Sequence, residues 1–163
     1  MIIRLVFLVL LISSCKSNLP LADGYTLYLV RHAEKVEDGS RDPVLKKEGI
    51  QRADQLKDLL LDRDIATIYS SDYQRTRSTA QPLAKELNKD ISLYNPRDLE
   101  ALVNLLVSRK ETALIVGHSN STPSLANLIL GQDIFEQFEE SQYDQIIEIE
   151  YTMGRFNQAV LLY

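Results

Sequence analysis

A single cysteine, Cys15, excludes an intrachain disulfide framework, whatever compartment the protein occupies. Basic charge is short as well. Lys and Arg total 18 against 23 Asp and Glu, and the net charge of −5 gives no electrostatic footprint for nucleic acid. Internal repeats, low-complexity tracts and long blocks of one charge are missing, which sets aside solenoids and disordered tails. Long apolar runs are missing too: Leu5 to Ile12 falls well short of the roughly 20 residues that cross a bilayer. Histidine occurs only twice, as His32 and His118. What the chain does have is 45% hydrophobic residues, enough for the core of one domain.

The first residues read as a processed leader. Met1 to Arg4 is a short n-region with one positive charge, Leu5 to Ile12 is the apolar h-region, and Ser13-Ser14 are the small residues expected before a cleavage point. Residues 1–14 are therefore expected to be a signal peptide. Ile12-Ser13-Ser14-Cys15 resembles a bacterial lipobox, which implies diacylation of Cys15, a polar tether over 15–24, and an extracytoplasmic lipoprotein anchored to a bacterial membrane. The folded domain is then expected over residues 25–163.

Within that domain short apolar runs alternate with amphipathic stretches. Tyr25 to Val30 reads as a strand. Lys47 to Leu61 reads as a helix, with Ile50, Ala53, Leu56, Leu59 and Leu60 on its apolar stripe and Arg52 off it. Ile65 to Tyr69 reads as a strand, Ser70-Ser71-Asp72 as capping residues, and Thr76 to Asn88 as a helix kinked at Pro82. Ile91 to Tyr94 is a third strand, Asn95-Pro96 opens a helix through Val107, and Ala113 to Gly117 is a fourth strand. A helix from Pro123 to Leu130 stops at Gly131, and Gln145 to Tyr151 with Phe156 to Tyr163 forms a hairpin. This order predicts a three-layer α/β fold: a mostly parallel central sheet, helices on both faces, and a C-terminal antiparallel hairpin.

Ligands of open α/β sheets bind at the carboxyl ends of the strands. Arg31 and His32 follow the first strand, Arg75 follows the second, and His118 follows the fourth, so the four are expected to converge. Paired guanidiniums bind oxyanions through bidentate hydrogen bonds, and helix N-termini add positive potential. One neutral imidazole can attack phosphorus while the second, with the arginines, holds the equatorial oxygens. Zinc is disfavoured, since a catalytic site usually needs three protein ligands and these histidines sit beside arginines. Ser119 and Asn120 are expected to cap the next helix, and Tyr69, Tyr73 and Tyr94 to belong to the core. Glu34 and Lys35 either line the mouth or pair with each other in solvent.

Arg31-His32-Ala33-Glu34-Lys35, the segment Ser71 to Ala80, and Val116-Gly117-His118-Ser119, in this order on alternating elements, resemble the histidine phosphatase superfamily in its phosphoglycerate-mutase-like branch. The resemblance implies phosphorylation of His32, a phosphate pocket of Arg31, Arg75 and His118, and no metal or other cofactor. It departs from the family at Ala33, where glycine is usual, and at Lys46, where a helix-opening Ser or Thr is usual. Relatives place a proton-donating glutamate in a lid-like insertion after the second helix. Here that region is short, its nearest acids are Asp98 and Glu100, and Asp98 is the candidate acid. Such compactness resembles the small phosphohistidine phosphatases more than the mutases. The implied activity is hydrolysis of a phosphomonoester on a small molecule or phosphoprotein. The alternatives are a phosphohistidine or phosphoprotein phosphatase, and a non-catalytic oxyanion-binding lipoprotein.

Overall fold

The structure, a computed structural model, describes residues 24–163. The expected signal peptide, Cys15 and all but the last residue of the tether lie outside the described residues. Ten elements follow in order: β1 (Tyr25–Arg31), α1 (Lys47–Leu60), β2 (Thr67–Ser71), α2 (Gln74–Glu86), β3 (Ile91–Tyr94), α3 (Leu99–Arg109), β4 (Ala113–Gly117), α4 (Ser121–Leu130), β5 (Gln145–Thr152) and β6 (Arg155–Leu162).

The strands form one sheet in the order β3-β2-β4-β1-β5-β6. The first four strands are mutually parallel, β5 runs antiparallel to β1, and β6 closes the expected hairpin. Parallel strands are buried on both faces, and the side chains divide accordingly. Tyr25, Leu27 and Leu29 pack with Ala113 and Ile115 beneath Leu102 and Leu106 of α3 and Leu125 and Ile129 of α4. Tyr28 and Val30 pack with Leu114 and Val116 beneath Leu56 and Leu60 of α1 and Ala80 and Leu83 of α2. The three-layer architecture is as expected.

Several boundaries and faces differ from expectation. β2 begins at Thr67, not Ile65, and runs on through Ser70 and Ser71, so these serines are strand residues, not caps. The residue before α2 is Tyr73, which makes no side-chain cap, and the free amide of Gln74 donates instead to Asp42 Oδ1 at 2.8 Å. On α1 the buried positions are Gly49, Ala53, Leu56 and Leu60, whereas Ile50 and Leu59 are exposed. The face is turned because Gly49 lies against the chain after β1: a Cβ there would stand 2.1 Å from the Glu34 carbonyl oxygen. α4 begins at Ser121, two residues before Pro123, and neither Ser119 nor Asn120 caps it through a side chain. Proline is tolerated in that first turn, where an amide has no helical partner anyway.

Candidate active site

Parallel pairing of β1 with β4 places Arg31 opposite Gly117, and the His32 amide extends the ladder to the Gly117 carbonyl at 2.9 Å. The two histidines therefore leave adjacent strand tips, with ring centroids 5.6 Å apart. Gly117 suits this crossing, because a Cβ would meet Thr122 Oγ1, Tyr94 Oη and Ser121 Oγ at 2.8 to 3.0 Å.

His32 is buried, and its Nδ1 lies 2.8 Å from the Ala33 carbonyl oxygen. A carbonyl only accepts, so Nδ1 carries the hydrogen and Nε2 keeps its lone pair. Burial, reinforced by Arg75, His118 and Arg31, pushes the imidazole pKa down to about 3, against the Ala33 hydrogen bond. The ring is neutral at pH 7. Ala33 is itself held, its amide donating to Thr79 Oγ1 at 2.9 Å while Thr79 donates to the Arg75 carbonyl at 2.8 Å.

His118 is oriented by its other nitrogen. Nε2 lies 2.9 Å from Ser71 Oγ, and Ser71 Oγ donates to Thr76 Oγ1 at 3.1 Å. With that hydroxyl hydrogen committed, His118 donates from Nε2 and leaves Nδ1 free, 3.5 Å from Arg75 Nη2. Burial first, then Arg75 and Arg31, lowers its pKa to about 4.

The two arginines differ. Arg75 stacks 4.5 Å from the Tyr73 ring and lies 3.6 Å from Asp42 Oδ1, and its Nε and Nη1 have no protein hydrogen-bond partner. Arg31 is more committed than expected. Its Nη1 donates to the carbonyls of Glu139, Glu140 and Gln142 at 2.8 to 3.1 Å, and its Nη2 reaches Glu140 Oε2 at 3.3 Å. Tyr143 covers the guanidinium at 4.1 Å. A bidentate grip through both terminal nitrogens is thus replaced by an edge of Nε, which has no protein partner, and Nη2, which Glu140 touches.

These groups line one cavity of about 370 Å³, together with Lys35, Tyr73, Pro96, Arg97, Ser119 to Ser121 and Glu140. That volume suits a small ligand. Arg31, His32, Arg75 and His118 are all brought together as expected. Asp98 is not: it is the N-cap of α3, its Oδ1 accepting the Ala101 amide at 3.2 Å, and it does not line the cavity. Glu100 is exposed and also outside it. Glu140, in the loop between α4 and β5, is the carboxylate that does line it. Sequence reading passes over Glu140 because a Glu-Glu pair in a polar loop looks solvated, and the Arg31 contacts that tie this loop down cannot be read from spacing. Glu34 neither faces the mouth nor pairs with Lys35. Arg52 holds it through Nε and Nη2 at 2.7 to 3.0 Å, which lowers its pKa despite partial burial. Among the described residues no group of three His, Cys, Asp or Glu is arranged to hold a metal ion.

Known proteins share this arrangement of elements. The family model of the histidine phosphatase superfamily, branch 1, matches residues 27–100, which include Arg31, His32 and Arg75. Over these residues the chain is similar to the histidine phosphatase superfamily. The chain is also 35% identical over 107 residues to a protein of Escherichia fergusonii named Probable phosphoglycerate mutase GpmB, covering 62% of this chain. It spans about half, 49%, of that relative's length. Among solved histidine phosphatase folds, the α-ribazole phosphatase of Shigella flexneri superposes with a TM-score of 0.68 at 16% identity, covering 85% of this chain and 96% of that one. The protein of Agrobacterium tumefaciens given the name phosphohistidine phosphatase SixA superposes with a TM-score of 0.66 at 23% identity, covering 85% and 98%. At these identities the likeness is one of fold.

Proposed function

We propose that the protein hydrolyses phosphomonoesters through a phosphohistidine on His32. The observation that carries this reading is the fixed tautomer: Nδ1 is committed to Ala33, the ring is neutral, and Nε2 is the free nucleophile in a cavity supplied with guanidinium donors. The phosphoryl oxygens bind Arg75 and the Nε–Nη2 edge of Arg31, displacing the Glu140 carboxylate from that edge. His32 Nε2 attacks phosphorus as the ester P–O bond breaks, and the departing oxygen takes a proton delivered from solvent through Glu140, the carboxylate that lines the cavity. Water then attacks the phosphohistidine, Glu140 recovers the proton, and phosphate leaves with His32 restored. Developing charge on the transferred group is held by Arg75 and Arg31, and His118 Nδ1, 3.5 Å from Arg75 Nη2, orients the Arg75 guanidinium.

The test is chemical trapping. Brief incubation with nitrophenyl phosphate leaves an acid-labile, base-stable phosphate on the protein, absent from His32→Ala, whose fold is checked by circular dichroism. A label that persists in His32→Ala rejects the mechanism, and phosphate affinity without turnover in the parent chain gives a binding protein instead.

A phosphohistidine or phosphoprotein substrate is the second reading. Neither acid of the segment 87–98, Asp90 or Asp98, lines the cavity, which favours it, because a departing imidazole nitrogen can already carry its proton. We also propose that Cys15 is diacylated and holds the domain at a bacterial membrane outside the cytoplasm, on the strength of Ile12-Ser13-Ser14-Cys15. Fatty-acid labelling that is lost in Cys15→Ser supports the anchor, and labelling absent from the parent chain refutes it.

A further inference from the structure

The cavity carries more positive charge than a phosphoryl group needs. The whole chain has a net charge of −5, yet Arg31, Lys35, Arg75 and Arg97 all line this one space against a single carboxylate, Glu140. Arg31 is paired with that carboxylate and Arg75 lies near Asp42. Lys35 and Arg97 have no ion-pair partner among the described residues.

Both are carried on backbone that is fixed. Lys35 bridges to Leu45, its neighbours are held by hydrogen bonds from Val36 to Val44 and from Lys46 to Glu34, and Gly49 backs the segment. Arg97 sits in a turn whose amide donates to Asn95 Oδ1 at 3.1 Å, with the Asp98 amide donating to the Asn95 carbonyl at 3.1 Å. Lys35 follows β1 and Arg97 follows β3, and in the sheet β2 and β4 lie between those strands. The first turn of α2 after β2 carries Arg75 and the loop after β4 carries His118, so the two cations flank the phosphate end. Tyr73 and Pro96 add apolar wall to the same cavity. The neighbouring cleft shares Lys35 and Arg75 and adds Arg41 against Glu37, so the positive surplus continues outward on the Lys35 side.

We propose that Lys35 and Arg97 form an anion-selective mouth, and that the substrate is a small phosphomonoester whose leaving group bears a second anionic oxygen group, a carboxylate or a phosphate. This rests on the phosphatase reading for the word substrate, but the binding preference stands apart from turnover. A second anion at the mouth is attracted by two cations with no other partner, whereas a neutral group of the same size meets their unrelieved charge.

The experiment measures dissociation constants by calorimetry on the full chain for phenylphosphonate and its para-carboxamide, para-carboxylate and para-phosphonate derivatives, none of which can be hydrolysed at the P–C bond. The carboxylate and the bisphosphonate bind about tenfold tighter than the carboxamide, and the difference between those two names the preferred group. The preference disappears in the double variant Lys35→Gln/Arg97→Gln, whose melting temperature verifies the fold. Equal affinity for carboxylate and carboxamide in the parent chain, or a preference that survives both substitutions, overturns the proposal. Phosphohistidine formation from nitrophenyl phosphate is measured alongside, so that loss of the catalytic reading and loss of the subsite are separate results.

Discussion

Thr79 holds the Ala33 amide at 2.9 Å, and Ala33 in turn holds His32 Nδ1 through its carbonyl at 2.8 Å. A side chain on the first turns of α2 therefore sets the tautomer of the imidazole that follows β1. Thr79→Val keeps the shape but leaves a buried amide without a partner, which costs about 1–3 kcal/mol. Phosphoenzyme formation in this variant falls by up to about 10²-fold, the scale of a small misplacement of a reacting atom. Thr79→Ser restores it. A rate that falls equally in Thr79→Ser assigns Thr79 to packing alone.

Glu140 and Asp98 are separated by leaving-group chemistry. A positioned general acid contributes roughly 10²–10⁴-fold when the leaving group is a poor one. Glu140→Gln is expected to slow alkyl phosphates on that scale and nitrophenyl phosphate only slightly, as read from kcat on both substrates. Asp98→Asn leaves both near the parent rate. Asp98→Ala lowers stability by about 1 kcal/mol, the usual worth of an N-cap.

Acid sensitivity follows from the two imidazoles. Their folded pKa values, about 3 for His32 and about 4 for His118, lie below the ordinary value of 6.5. Below that ordinary value the unfolded chain binds protons the folded chain refuses, so stability present above pH 6.5 is lost as pH falls toward 4 and then 3. Urea midpoints at pH 7.5, 6 and 5 are expected to fall in that order. The variant His32→Asn/His118→Asn shows a smaller slope over the same window, which separates the histidines from carboxylates such as Glu34.

Gly49 tests sign against magnitude. Helix propensity alone favours Ala over Gly by about 1 kcal/mol in a helix interior. Against this, the new Cβ would stand 2.1 Å from Glu34 O, which is backbone and cannot simply swing away. Overpacking costs roughly 1–3 kcal/mol, so Gly49→Ala is expected to lower the urea midpoint and to weaken the Lys35 mouth. A raised midpoint would show that the segment yields freely.

The sheet, its layers and the four converging residues were legible because their signals are local and regular. Tyr25 to Val30 and Ala113 to Gly117 are continuous apolar runs, as strands covered on both faces must be. Arg31, His32 and His118 stand directly at the ends of those runs. Tertiary contacts decided what was misread. Gly49 turned the buried face of α1, since a helical wheel weighs hydrophobicity and cannot see that a small residue is needed against Glu34. Ser71 looked like a cap because serine favours caps, yet the β2 ladder took its backbone and His118 took its hydroxyl. Arg52 and Glu34, 18 residues apart, show no pattern that announces their pairing. Glu140 reaches the cavity only because Arg31 gathers three carbonyls of its loop, a contact spanning 108 to 111 residues.

The pairing of β1 with β4 also bears on how the protein folds. Thr26 meets Thr112 across 86 residues, and β1 is then flanked on its other side by β5, still further along the chain. Contacts of such sequence separation close late and slowly, because the entropy of a large loop is lost before the contact forms. His32 and His118 share a wall only after that closure. A species in which β1 and β4 are still apart cannot bring the two imidazoles together, so recovery of phosphate-binding capacity during refolding clocks the closure of that central pair.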